Sequence, residues 1–317
     1  MGDESSGAEW SRYWSGRSGV DDAEVYTRPG IEADEELSGF WEGVISAHPK
    51  DVAFVDLACG AGSVVRHASR LGYSNLTGVD IAPDAIRLLE ENFKGVTGVR
   101  ASIEDLADHG QRYGLVVSQF GFEYAGTDPS APIIANLVAP GGEFVALVHM
   151  TEGAIASECD AAKQSCEAFA NTGFVPAAIK VFEAFDKVEK TGSEAAKADL
   201  SVANQALLAP RDAIAALANT GHQLAGHTLS GTQIMFQRRR FYKLDDILDW
   251  LIRVDEENKA HQARMQGMLD ASLTEAEATA LLSQLSAFGL ETDPLRGLEQ
   301  GDPKQPIAWI IRARKPA

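Results

Sequence analysis

Residues 55–63 read Val-Asp-Leu-Ala-Cys-Gly-Ala-Gly-Ser, so that an acid, Asp56, and then two glycines, Gly60 and Gly62, follow the start of a short apolar run. Glycines at such a place let the backbone touch a ligand, because no side chain intervenes, and aim the N–H groups opening the next helix at it. A dinucleotide fingerprint wants a third Gly or Ala three positions after the second glycine, where this chain has Val65, and it has no use for an early acid. Asp56 points instead to a cationic ligand. Two further places carry polar chemistry. The segment Ser118-Gln119-Phe120-Gly121-Phe122-Glu123-Tyr124 is unusually polar and aromatic, and His149 closes the apolar run from Glu143. A histidine there is either a proton acceptor or a satisfied structural residue; Glu123 is either a base or a solvated carboxylate. Phe120 and Phe122 either wall a site or belong to the core.

The elements that must position these residues alternate in type. Short apolar runs predict strands over Ala53 to Leu57, Leu76 to Ile81 with Asp80 at its end, Val99 to Ser102, Leu115 to Phe120, and Glu143 to His149 after Pro140-Gly141-Gly142. Between them lie helical periods. Val64, Val65, Ala68 and Leu71 share a face that stops at Gly72; Ile86, Leu89 and Phe93 follow Pro83; Ile133, Ile134 and Leu137 mark a helix from about 129 to 138. An earlier helix, 35–47, has the stripe Leu37, Phe40, Trp41, Val44 and Ile45. Strand and helix in alternation predict a doubly wound parallel sheet, whose crevice lies at the carboxyl ends of the strands. The glycine turn, Asp80, the polar loop and His149 all fall at that edge.

The pattern Asp56-x-Ala58-Cys59-Gly60-x-Gly62 resembles the first signature motif of class I S-adenosylmethionine-dependent methyltransferases, which usually carry Gly at the position of Ala58. That resemblance implies a Rossmann-like, seven-stranded sheet and S-adenosylmethionine as cofactor. It implies that Asp56, Ala58, Cys59, Gly60 and Gly62 hold the methionyl part and that Asp80, with Ile81, holds the ribose. Ile103-Glu104-Asp105-Leu106 resembles the adenine-contacting segment, which implies Ser102, Ile103 and Glu104 as contacts, although many relatives have Asp at Ser102. Ser118, Gln119 and Phe120 would pass beside the sulfonium, Phe122 would contact substrate, and Glu123, Tyr124 or His149 would take a proton from an oxygen acceptor. Small-molecule members often close the site with an N-terminal segment. Trp10, Tyr13 and Trp14, sharing one helical face, fit that flap or the plain packing of a helix on the core. Arg28 is either a partner for the cofactor's carboxylate or an exposed arginine.

With 28 basic and 46 acidic residues in 317, the net charge is −18, a field that repels polyanions and argues against nucleic acid and anionic membranes as partners. Residues 1–8 are acidic and polar where a secretory signal is basic and then apolar, and no long apolar run exists, so a cytoplasmic location is expected. Three cysteines lack metal-ligand spacing, and Cys159 and Cys166 lie on a helical seam; no metal is expected. Residues 1–150 with 273–317 would form the methyltransferase domain, closed by a helix at 274–287 and strands near Leu290 and from Ile307 to Arg312. Residues 151–272 would be a helical insertion after the fifth strand, serving as cap, substrate region or homodimer contact. Its helices are expected near 153–171, 175–190, 194–209, 211–220 and 244–269, with Pro210 separating two of them, Gly226 to Gly231 a loop, and Thr232 to Phe236 a brief strand. Arg238-Arg239-Arg240 is a solvated run or an anion contact. The function expected is metal-independent methyl transfer to oxygen, nitrogen or sulfur of a small molecule. Rivals are a protein or peptide methyltransferase, a nicotinamide oxidoreductase and a non-catalytic cofactor-binding module.

Overall fold

The computed structural model describes Trp10, Tyr13, Trp14 and residues 35–108, 110–301 and 303–317, the side chain of Asp108 apart; Arg28 lies outside the described residues. Contacts divide the chain into two compact units, one within Met1–Ser157 and Met268–Ala317, the other Glu158–Gly267.

In the first unit the order is α1 (Glu35–Ser46), β1 (Phe54–Leu57), α2 (Ser63–Arg70), β2 (Leu76–Asp80), α3 (Pro83–Asn92), β3 (Thr97–Arg100), a 3₁₀ turn (Glu104–Asp108), β4 (Tyr113–Gln119), a second 3₁₀ turn (Phe122–Ala125), α4 (Thr127–Leu137) and β5 (Val138–His149). Every residue of β1 and β2 is buried, as expected of strands covered on both faces. Helices α5 (Ala154–Asn171), α6 (Phe174–Thr191), α7 (Glu194–Asn219), α8 (Gln223–Gln237) and α9 (Leu244–Ala271) follow, and then α10 (Glu275–Ala287), β6 (Glu291–Thr292), β7 (Arg296–Gln300) and β8 (Gln305–Arg314). The sheet runs β3-β2-β1-β4-β5-β8-β6 with β7 also on β8. Pairs among β1 to β5 are parallel, and β8 runs antiparallel to β5, β6 and β7. Ile134 and Leu137 of α4 pack with Leu281 and Leu285 of α10, Phe122, Phe144 and Ile311 in one core. A capping box starts α10: Thr274 Oγ1 accepts from the Glu277 N–H while the Glu277 carboxylate accepts from the Thr274 N–H.

Several sequence expectations are corrected. The sheet has eight strands, not seven, because Arg-Gly-Leu-Glu-Gln at 296–300 pairs along the outer edge of β8 despite having no apolar run. β3 ends at Arg100, so Ser102 lies beyond the strand. β5 begins at Val138 and absorbs Pro140-Gly141-Gly142, its register jumping from Tyr113↔Val138 to Leu115↔Glu143.

The second unit is helical, with Phe182, Ile214, Ala225, Met235 and Leu251 in a shared core. Pro210 sits inside the single helix α7 instead of separating two. Packing of Ile214 and its neighbours against α6 and α8 outweighs the local cost of a proline, which is about 3 kcal/mol. The expected loop at Gly226–Gly231 and strand at Thr232–Phe236 are both within α8. Gly231 is there for space: a Cβ on it would stand 2.7 Å from the Trp250 ring. Arg239 pairs with Glu189 and lies 4.3 Å over the Phe185 ring, so it is not a solvated charge.

At the start of the buried part of β5, Glu143 accepts from Arg312 Nε at 2.7 Å and Nη2 at 3.1 Å, and meets Arg314 Nε at 2.8 Å and His48 Nε2 at 3.1 Å. Burial alone would raise its pKa, but the hydrogen bonds from His48 and Arg312 and the charges of both arginines bring it from 4.5 to about 2. A carboxyl depressed in the fold contributes stability that is present above pH 4.5 and is lost as pH falls towards 2. The stability difference between the native protein and Glu143→Gln, from urea unfolding, is expected to hold steady above that window and shrink through it. A difference independent of pH would refute the assignment.

Candidate functional site

The chain leaves β1 through a turn whose conformation explains its residues. Ala58, Gly60 and Gly62 all have positive φ, at 52°, 53° and 94°. The first of these is a left-handed position held by a residue with a side chain, which costs about 1–2 kcal/mol and accounts for the glycine common there in the resembling family. Cys59 N–H donates to Val79 O at 2.9 Å, tying the turn to β2. Asp80, at the end of β2, then takes Gly60 N–H on Oδ2 at 2.9 Å and Ala82 N–H on Oδ1 at 2.8 Å. Burial raises the Asp80 pKa against the pull of these two donors. Burial, with the charges of Asp80 and Asp56, also pushes the Cys59 thiol well up, keeping it neutral and unreactive.

A cleft of about 660 Å³ opens at this edge. On the side of β1 to β3 it is lined by Ala58, Cys59, Gly60, Asp80, Ile81, Ser102, Ile103 and Glu104. On the side of β4 and β5 it meets Gln119, Phe120, Tyr124 and His149, and Trp10 and Trp14 also line it. Trp14 is buried against Ala61, Ala82, Ala85 and Leu88, with its ring over Gly60, while Trp10 meets Tyr124 edge to face at 5.7 Å. Tyr13 packs on both tryptophans without lining the cleft.

Other expected site residues stand elsewhere. Asp56 is buried within β1. Gly62 faces α3, where a Cβ would come within 2.5 Å of Leu89 and 2.9 Å of Phe93. Ser118 Oγ donates to Leu57 O at 2.7 Å and accepts from Phe122 N–H at 3.1 Å, a brace between strand ends. Phe122 is a core residue, edge to face with Phe144 at 5.5 Å. Ser102, by contrast, lines the cleft while it and Asp105 cap each other, Asp105 Oδ2 accepting from Ser102 N–H at 3.0 Å and Ser102 Oγ from Asp105 N–H at 3.3 Å. Asp105 also lines the cleft, as does Met268. Asp105 falls inside the segment the sequence singled out for adenine; Met268 gives no local signal.

Glu123 is not in the cleft either, but it acts on a residue that is. Its Oε1 accepts from the His149 backbone N–H at 3.1 Å and lies 2.7 Å from His149 Nδ1. Both side chains are buried, at 0 and 3% exposure, and His149 Nε2 and Glu123 Oε2 have no hydrogen-bond partner among the described residues. The Phe120 ring lies 4.8 Å from the imidazole and that of Tyr124 6.0 Å. Phe120 itself has φ 55°, a left-handed conformation costing about 1–3 kcal/mol for a bulky residue.

Residues 54–142 match a family model described as a methyltransferase domain. That stretch is a methyltransferase domain. No curated protein matches the chain in sequence. Among solved structures it is similar to an S-adenosylmethionine-dependent methyltransferase from Mesorhizobium loti (23% identity over 35% of this chain and 53% of that one, TM-score 0.31). A putative one from Listeria monocytogenes gives 21% identity over 37% and 58%, TM-score 0.32. The CcbJ methyltransferase from Streptomyces caelestis gives 20% over 41% and 58%, TM-score 0.35. The chain spans between 53 and 58% of the length of these three proteins, and likenesses so distant carry no functional argument.

S-adenosylmethionine, the cofactor of the methyltransferase domain, suits the donor set of the cleft. Each Asp80 oxygen keeps a lone pair beyond its backbone bond, enough to accept from a ribose diol. Ile81 and Ile103 supply apolar surface for an adenine. The methyltransferase edge also depends on one close approach. A Cβ on Gly121 would stand 2.5 Å from Ala58 Cβ and 3.1 Å from Ala58 O. Gly121→Ala is therefore expected to cost about 1–3 kcal/mol. Adding Ala58→Gly removes both the methyl and the left-handed strain, and should restore most of that loss in urea unfolding; a double variant no more stable than Gly121→Ala would refute the contact.

Proposed function

We propose that the protein transfers the methyl group of S-adenosylmethionine to a small-molecule acceptor by in-line displacement, without a metal ion. The observation that carries this is the continuity of the cleft, which joins the Gly60–Asp80–Ile103 cradle to the Phe120, Tyr124 and His149 wall beneath Trp10 and Trp14. Its volume of about 660 Å³ lies in the range of small-molecule sites, which run to about 1,000 Å³. A polymer would need an open groove, and the net charge of −18 disfavours nucleic acid further. Among the described residues no cluster of His, Cys, Asp or Glu is arranged to hold a metal.

The cofactor bound there supplies an electrophilic methyl on a positively charged sulfur. Asp80 fixes the ribose end, and Ile81 and Ile103 hold the base. Phe120 and Tyr124 orient the acceptor and keep water from the reacting atoms, so that the protein contributes alignment and desolvation.

Calorimetry is expected to show S-adenosylhomocysteine binding and no NAD binding. Loss of charge-assisted bonds at about 1.5–3 kcal/mol each predicts that Asp80→Ala weakens S-adenosylhomocysteine at least tenfold, with Asp80→Asn in between. Equal affinity in all three proteins would overturn the cofactor assignment, and binding of NAD alone would overturn the proposal.

A further inference from the structure

We propose that the acceptor is an uncharged phenol, and that Glu123 positions His149 so that its Nε2 receives the phenol's proton as the methyl group is transferred. This rests on the methyl-transfer reading above and adds to it the acceptor class and the pair of residues that selects it.

The pairing leaves little freedom. A carboxylate only accepts, so with the ring neutral the proton sits on Nδ1, facing Glu123 at 2.7 Å, and Nε2 carries the lone pair. The backbone N–H of His149 bonds the same oxygen, locking main chain and ring to one point. His149 lines the cleft, and its Nε2 is buried with no partner among the described residues. Burying an imidazole nitrogen unpaired is costly, and the cost is relieved when a ligand hydroxyl occupies the cleft. The surrounding rings are Phe120, Tyr124 and Trp10, the first held in a left-handed conformation against the imidazole. Such walls favour a planar aromatic acceptor. Among the described residues lining the cleft there is no Lys or Arg, whereas Asp80, Glu104 and Asp105 are present. An acceptor bearing a carboxylate or phosphate finds no cationic partner among the described residues of the cleft and adds to its negative charge.

The chemistry selects oxygen of a particular acidity. An amine attacks with its own lone pair and loses its proton afterwards to water. A thiol, with a pKa near 8.5, is already partly ionised. An aliphatic hydroxyl, close to water's value of about 15.7, lies roughly nine units above an imidazole at about 6.5. A phenol, at about 10, lies only about 3.5 units above it, a gap that a poised base spans as the new bond forms. In the step, the oxygen–methyl bond forms, the methyl–sulfur bond breaks with its electron pair going to sulfur, and the phenolic proton passes to Nε2. The resulting imidazolium is held against the Glu123 carboxylate and later returns its proton to water.

The test begins without cofactor. 4-Nitrophenol is added to the native protein at a pH below its own pKa, and the nitrophenolate band is expected to appear as the site fills. In Glu123→Gln and His149→Gln that band should fall at least tenfold, while 4-nitroanisole, which has no proton to give, still binds. With S-adenosylmethionine and catechol, Glu123→Gln should lower kcat at least tenfold with KM and the S-adenosylhomocysteine Kd unchanged. If the native protein binds nitrophenol only in its neutral form, or methylates aniline and not catechol, the inference is overturned without recourse to any variant. Undiminished ionisation in Glu123→Gln overturns the role of Glu123. Failure of S-adenosylhomocysteine to bind the native protein would instead sink the methyl-transfer reading itself.

Discussion

The Asp80 carboxylate is the constraint on which the carboxyl edge of the sheet depends. By accepting from Gly60 N–H at 2.9 Å and Ala82 N–H at 2.8 Å it clamps the turn after β1 to the end of β2, two places brought side by side only by the parallel pairing of those strands. The residue is buried, and a buried carboxylate without donors would be prohibitively costly, so turn and acid stabilise each other. Each oxygen keeps a further lone pair, and Asp80 lines the cleft. One group therefore shapes the backbone and remains available to a ligand.

Around this clamp, strain is concentrated at the same edge. Ala58 and Phe120 are the two non-glycine residues with positive φ among the described residues, and they immediately follow β1 and β4, which are neighbours in the sheet. Neither conformation is favourable alone. Both are over-determined by their surroundings: Phe120 N–H donates to Leu147 O at 2.8 Å, and Ser118 Oγ ties β4 to Leu57 O at 2.7 Å. Left-handed corners turn the chain sharply away from the strand direction, which presents ring and backbone to the cleft rather than to the core.

Two buried glutamates associated with β5 show how the same side chain is put to different use. Glu143 is surrounded by His48, Arg312 and Arg314, which hold it ionised down to about pH 2, and its role is to join β5 to β8. Glu123, beside the other end of the strand, is partnered among the described residues by His149 and keeps one oxygen unpartnered there. A fully satisfied carboxylate is structural. One left half-satisfied next to an imidazole that lines a cleft holds that ring in place.

Local rules made much of this protein legible in its sequence. Apolar runs of strand length, helical stripes between them and glycines at the turns identify the parallel order of β1 to β5 and the cradle near Gly60 and Asp80, because period and turn chemistry act within a few residues. The same reasoning failed where distant packing prevails. Pro210 stays inside α7 because its helix is held by the core around Ile214, and Gly231 belongs in α8 because Trp250 needs the room. β7 exists because β8 offers it an edge. The pairing of Glu123 with His149 was likewise beyond the sequence, which offered each as a separate candidate. It depends on the register of β4 with β5, Gln119 opposite Leu147, and on the corner at Phe120 that follows; a shift of one residue would send His149 to the other face of the sheet. Residue types named the available chemistry, while register and strain, which only the assembled sheet sets, decided which groups meet.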